Sequence, residues 1–169
     1  MRIHVASGVG RGPTETAAYD AALAAAGVHN YNLVVVSSVV PADATVVEVE
    51  RVPDRGPAGG RLTVVQAVAT AESGPVAAAL AWATGPGPGL FYEACGTGAE
   101  RDGDADADAV VSAVREEALV GLAAGRALRA DEWTFTDERA CVERADADAT
   151  GDAHVAVVVV AAYGEAEPW

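Results

Sequence analysis

Residues His29-Asn30-Tyr31-Asn32-Leu33-Val34-Val35-Val36-Ser37-Ser38-Val39-Val40-Pro41 form two apolar runs split by a pair of serines. Leu33 to Val36 and Val39-Val40 have the composition of one buried strand, and Pro41 ends it because proline cannot donate to a ladder. In an ordinary strand the two hydroxyls would bond to neighbouring carbonyls and do no more. The wider pattern of the chain decides whether they do chemistry instead.

The chain has 169 residues, 51% hydrophobic but only 5% aromatic, which suits one domain with a core of Val, Ala and Leu. A formal charge of -14 and a pI near 4.4 argue against nucleic acid and anionic membrane as partners, since both require basic patches. Small molecules and further copies of this chain remain. All 11 basic residues are arginine and none is lysine, against 25 acids. That is the composition of a salt-adapted surface, hydrated when salt screens ordinary charge. Without lysine, pyridoxal phosphate cannot be held as a Schiff base. An amino-acid decarboxylase built on this chain therefore needs another electron sink.

Cys95 and Cys141 stand far apart and form no Cys-x-x-Cys pair, so neither zinc nor any other metal is expected. The chain opens without a secretory pattern and lacks an apolar run of the ~18 residues a membrane span needs. A cytoplasmic location is the expectation.

Taken in order, Arg2 to Ala6 reads as a strand, and Gly8-Val9-Gly10-Arg11-Gly12-Pro13 as a loop that covers substrate or moves. Its Gly-x-Gly-x-Gly spacing departs from a dinucleotide fingerprint. Thr14 to Ala26 is an alanine-rich helix with Gly27 as its cap. Asp20 on that helix falls, by spacing alone, on an exposed polar stripe. A valine-rich segment runs from Thr45 to Val52, followed by a loop from Pro53 to Gly60. Arg61 to Ala71 and Pro75 to Thr84 read as strands joined by a hairpin turn at Glu72-Ser73-Gly74, the second ambiguous with helix.

Leu90 to Cys95 is a further strand. Alternation puts Phe91, Glu93 and Cys95 on one face and Leu90, Tyr92 and Ala94 on the other. A lone carboxylate in such apolar company should be desolvated, with a raised pKa. The run Asp102 to Asp108 lacks the glycine and the final glutamate of a calcium loop. It reads instead as the acidic start of a helix ending near Ala127. Glu132 to Glu143 reads as a strand, Ala145 to Asp152 as an acidic turn, and His154 to Tyr163 as a buried strand. Strands in both halves, each half with one helix, point to an α+β fold of two facing sheets, each covered outside by a helix.

Three motifs carry a resemblance: Tyr19-Asp20-Ala21-Ala22-Leu23, the segment Asn32 to Pro41, and Glu93-Ala94-Cys95-Gly96. Together they resemble the pyruvoyl-dependent arginine decarboxylases, in a haloarchaeal-like version. Pro41-Ala42 stands where that family usually has paired prolines. The resemblance implies a single-domain, four-layer αββα sandwich over residues 1–169. It also implies self-cleavage between Ser37 and Ser38 into residues 1–37 (beta chain) and 38–169 (alpha chain). Ser38 would become a covalent pyruvoyl group, the cofactor. The amino-acid substrate would be L-arginine, converted to agmatine and carbon dioxide in polyamine biosynthesis. Asp20 would face the guanidinium, Asn32 would donate a hydrogen bond near the pyruvoyl carbonyl, and Glu93 would supply a proton.

Asn32 and Ser38 are six residues apart, roughly 20 Å along an extended strand. A neighbouring subunit is therefore expected to complete the site, and the resemblance implies that the assembly is a homotrimer or dimer of trimers. Rival readings are a decarboxylase of another amino acid, a relative that binds without cleaving, and a nucleotide-binding protein using Gly8 to Gly12.

Overall fold

A computed structural model of the protein describes residues 1–99, 106–147 and 154–169. The elements are β1 (Arg2–Gly12), α1 (Glu15–Ala26), β2 (Asn32–Val35), β3 (Val39–Val40), β4 (Thr45–Glu48) and β5 (Arg61–Ala71). They continue with β6 (Gly74–Thr84), β7 (Gly89–Thr97), α2 (Ala107–Ala127), β8 (Asp137–Ala147) and β9 (His154–Glu167). One sheet has the order β2-β5-β9-β1-β4 and the other β3-β7-β6-β8.

The last strand explains the layers. Val155 to Ala162 are all fully buried, and a strand covered on both faces reads as an unbroken apolar run. Val155, Val157, Val159 and Ala161 of β9 meet Leu80, Trp82 and Phe91 of the opposite sheet. The alternate residues Ala156, Val158, Val160 and Ala162 lie under Ala18, Ala22 and Ala26 of α1. On the far side Ala77, Ala79, Ala81 and Ala83 of β6 lie under Val110, Val114, Ala118 and Leu122 of α2. The result is the expected α+β sandwich of four layers, αββα.

Side-chain size sets how closely the helices approach, and it overturns one expectation. Gly8, Gly10 and Gly12 belong to β1, whose ladder with β9 runs unbroken to Gly12–His154. A Cβ at Gly10 would stand 2.2 Å from the Ala18 carbonyl oxygen and 2.2 Å from the Ala22 nitrogen. These glycines exist so that α1 can lie on the strand, and no loop is left there to cradle a nucleotide.

Four other expectations change. Leu33 to Val40 is not one buried strand: β2 pairs with β5 in the first sheet and β3 with β7 in the second. Val34, Val35 and Val39 are 41%, 58% and 39% exposed. Glu72-Ser73 is not a hairpin turn, because β5 and β6 lie in different sheets; the chain steps across there, helped by Gly74 at φ 75. Glu132 and Trp133 precede the strand, both donating backbone N–H to the Arg129 carbonyl, and β8 starts at Asp137. That strand then extends through Ala145 to Ala147 where a turn was expected. The remainder of that acidic segment, 148–152, and the start of the aspartate run, 102–105, lie outside the described residues. Asp106 caps α2, accepting from the Ala109 N–H at 2.8 Å.

Because the atoms around Gly10 are backbone and cannot rotate away, Gly10→Ala should destabilise the protein by about 1–3 kcal/mol, the usual cost of overpacking. Gly87, whose added Cβ would meet nothing within 4 Å, is the control. Thermal unfolding should show a lower midpoint for Gly10→Ala and little change for Gly87→Ala.

Candidate active site

The chain changes sheets at the paired serines. The Val36 N–H still bonds to the Val64 carbonyl at 3.0 Å, extending the β2–β5 ladder. Two residues on, the Phe91 N–H donates to the Ser38 carbonyl at 2.7 Å, which starts the pairing with β7. Between them the Val39 N–H donates to the Ser37 carbonyl at 2.8 Å. An i→i+2 bond of this kind closes a γ-turn, and the negative φ of Ser38 makes it the inverse form common at strand ends.

The turn presents Ser38 to Glu93. Ser38 Oγ donates to Glu93 Oε2 at 2.9 Å across 55 residues of sequence. Behind the turn, the Tyr163 hydroxyl donates to the Val39 carbonyl at 3.1 Å. Its ring meets Phe91 edge-on at 6.2 Å between centroids. Tyr163 is buried, and burial first, then the charge of Glu93, pushes its phenol well above the ordinary 10.0. It therefore remains a hydrogen-bond donor through neutral and mildly alkaline pH.

Ser37, Ser38, Val39, Leu90, Phe91, Tyr92, Glu93 and Arg129 line a cavity of about 400 Å³. Glu93 projects from the face of β7 shared with Phe91, as its alternation required. It is, however, exposed in the chain. The desolvation expected from its apolar neighbours is absent because Glu93 lies at an open edge between the sheets. Arg129 was not legible as a site residue. It follows α2, donates to the Gly125 carbonyl at 3.0 Å and holds its guanidinium 5.2 Å from the Trp133 ring centre.

Two sequence-predicted residues do not join the cavity. Asn32 opens β2 and donates through Nδ2 to the Gly59 carbonyl at 2.6 Å. Asp20 is exposed on α1, which covers the outer face of the first sheet. Neither lines the space beside Ser38.

The family model for pyruvoyl-dependent arginine decarboxylase matches residues 2–168. The chain belongs to that family. Two curated relatives, pyruvoyl-dependent arginine decarboxylases of Halobacterium salinarum strains R1 and NRC-1, are each 50% identical over 169 residues. Each match covers 99% of this chain and 96% of the relative. The protein is accordingly a carboxy-lyase with a covalently bound pyruvoyl group. The residues fit such a group: a serine hydroxyl held by a carboxylate, a preceding carbonyl held by an N–H, and an adjoining cavity.

The raised phenol has a measurable consequence. Below pH ~10 Tyr163 is protonated in both the folded and unfolded states. Above it the unfolded chain loses that proton while the folded chain keeps it, so stability falls as pH rises toward the folded value. Absorbance titration should find one fewer ionising phenol near pH 10 in the folded protein than in the unfolded one. Tyr163→Phe should remove that difference.

Proposed function

We propose that this chain cuts itself between Ser37 and Ser38, makes its pyruvoyl group from Ser38, and converts L-arginine to agmatine and carbon dioxide. The single observation that carries the reading is the 2.9 Å hydrogen bond from Ser38 to Glu93. It joins, within the motif shared with a self-processing family, the nucleophile of the first reaction and the proton carrier of the second. The pyruvoyl group supplies a carbonyl that accepts electrons as carbon dioxide leaves, a role no lysine-bound aldehyde can fill here. Glu93 delivers a proton to the carbon that loses its carboxylate. Asp20 binds the guanidinium, and Asn32 donates a hydrogen bond at the residue-38 carbonyl.

Asp20 and Asn32 must then come from a neighbouring subunit, in a homotrimer or a pair of trimers. The exposed valines 34, 35 and 39 support this assembly. They crown two sheet edges beside the cavity, and such edges are ordinarily covered. Burial between subunits would also keep the Asp20 pair effective, since the Debye length is only ~3 Å at 1 M salt. The net charge of -14 argues against nucleic acid as a partner, and the location proposed is the cytoplasm. Among the described residues, no helix is long and apolar enough to cross a membrane.

Intact mass should resolve the mature protein into residues 1–37 and 38–169, and Ser38→Ala should remain one chain. A wild-type chain still uncut after prolonged incubation in its working salt would sink the reading. Light scattering in the same salt should give a multiple of three subunits.

The two carboxylates should separate kinetically. Asp20→Asn should cut normally yet lose about tenfold to a hundredfold in kcat/KM for arginine, as a charge-assisted bond worth ~1.5–3 kcal/mol is removed. Glu93→Gln, assayed on the fraction of chain that has cut, should lower kcat by about 10² to 10⁴ with a smaller change in substrate binding. Cut protein that decarboxylates another amino acid but not arginine would refute the substrate while preserving the cofactor.

A further inference from the structure

The self-cleavage has a requirement that the Ser38–Glu93 bond does not meet. When Ser38 Oγ adds to the Ser37 carbonyl carbon, the hydroxyl proton passes to Glu93 and negative charge collects on the Ser37 oxygen. A donor must already point at that oxygen. Asn32 is bonded to Gly59 instead. The Val39 N–H is bonded to the Ser37 oxygen at 2.8 Å.

We propose that the backbone N–H of Val39 is the oxyanion donor of the self-cleavage, and that Tyr163 is the positioning residue that holds it there. The inference deepens the reading above and rests on Ser38 being the nucleophile. Three bonds define the turn. Phe91 fixes the Ser38 carbonyl, which lies in the Ser38–Val39 peptide plane, at 2.7 Å, and Tyr163 fixes the Val39 carbonyl, one peptide further on, at 3.1 Å. With the plane gripped at its own oxygen and at the next carbonyl, the N–H cannot swing away from the Ser37 oxygen as charge builds. Tyr163 keeps its own proton because burial holds the phenol neutral.

The remaining steps balance within the chain and one water. The Ser37–Ser38 C–N bond breaks as Glu93 returns its proton to the nitrogen, leaving an ester. The Glu93 carboxylate, free of its proton after that step, takes the Ser38 α-proton as the Ser37 carboxylate departs, which gives dehydroalanine. Its imine tautomer takes up water, releases ammonia and leaves the pyruvoyl end. Val39 N–H acts only in the first of these steps, so the proposal concerns the rate of cutting and not arginine turnover.

The test uses the full chain with the hydroxy-acid analogue of valine at position 39, which replaces the N–H by oxygen. Cutting should slow about 10² to 10³-fold, the loss typical of removing one oxyanion donor. Mass separates cutting at 37–38 from simple hydrolysis of the new ester at 38–39. Because an ester also weakens the Ser38 carbonyl as an acceptor, Tyr163 is tested independently. Tyr163→Phe should slow cutting about tenfold, and 4-aminophenylalanine at 163, which keeps a donor, should restore the rate. A wild-type chain that cuts, beside an ester variant that cuts within threefold of it, overturns the proposal alone. A wild-type chain that never cuts overturns the proposal together with the reading beneath it.

Discussion

The backbone must leave one sheet and enter the other between Val36 and Val39, and every functional feature depends on how it does so. A strand that crosses sheets gives up ladder partners, and buried or half-buried amides cannot be left unpaired without a cost of about 1–3 kcal/mol each. Here Val64 takes the last bond of the first sheet, Phe91 supplies the first of the second, and the intervening Val39 N–H turns back onto Ser37. The crossing thus satisfies the backbone and points a hydroxyl, a carbonyl and an N–H at one another. Serine suits the position, being small enough for the turn and able to bond Glu93 across the gap between sheets.

The sheets are held for this purpose by apolar contact rather than by charge. The ion pairs Arg139–Asp137 and Arg144–Asp108 have side chains more than half exposed, and such pairs contribute about 0–1 kcal/mol before salt screens them further. The β9 run and the Ala and Gly contacts beneath α1 are indifferent to salt screening. An acidic, lysine-free surface can therefore serve hydration while small-residue packing carries the fold.

Much of this was legible in the sequence, for physical reasons. Two-sided burial of Val155 to Ala162 leaves an unbroken apolar run, and alternation put Glu93 beside Phe91 correctly. The pairing of Ser38 with Glu93 followed from family motifs, since no local pattern joins residues 55 apart. The errors share a cause. Gly8 to Gly12 looks like a loop because glycine usually signals one, whereas here the missing side chains make room for a helix that sequence alone does not bring to that face. Leu33 to Val40 looks like one buried strand because valine composition reports affinity for a sheet, not which sheet or whether a partner covers it. Arg129 and Tyr163 carried no signal, being an arginine after a helix and a tyrosine at the end of a core strand.

The central claim is that the crossing at Ser37–Ser38 makes a new chemical group at residue 38, and its most direct test is the structure of that chain end. Borohydride reduction followed by tandem mass spectrometry of the peptide that begins at residue 38 should find a lactyl group there, the reduced form of pyruvoyl. A free N-terminal serine there would mean that the bond is merely hydrolysed, and would contradict the account.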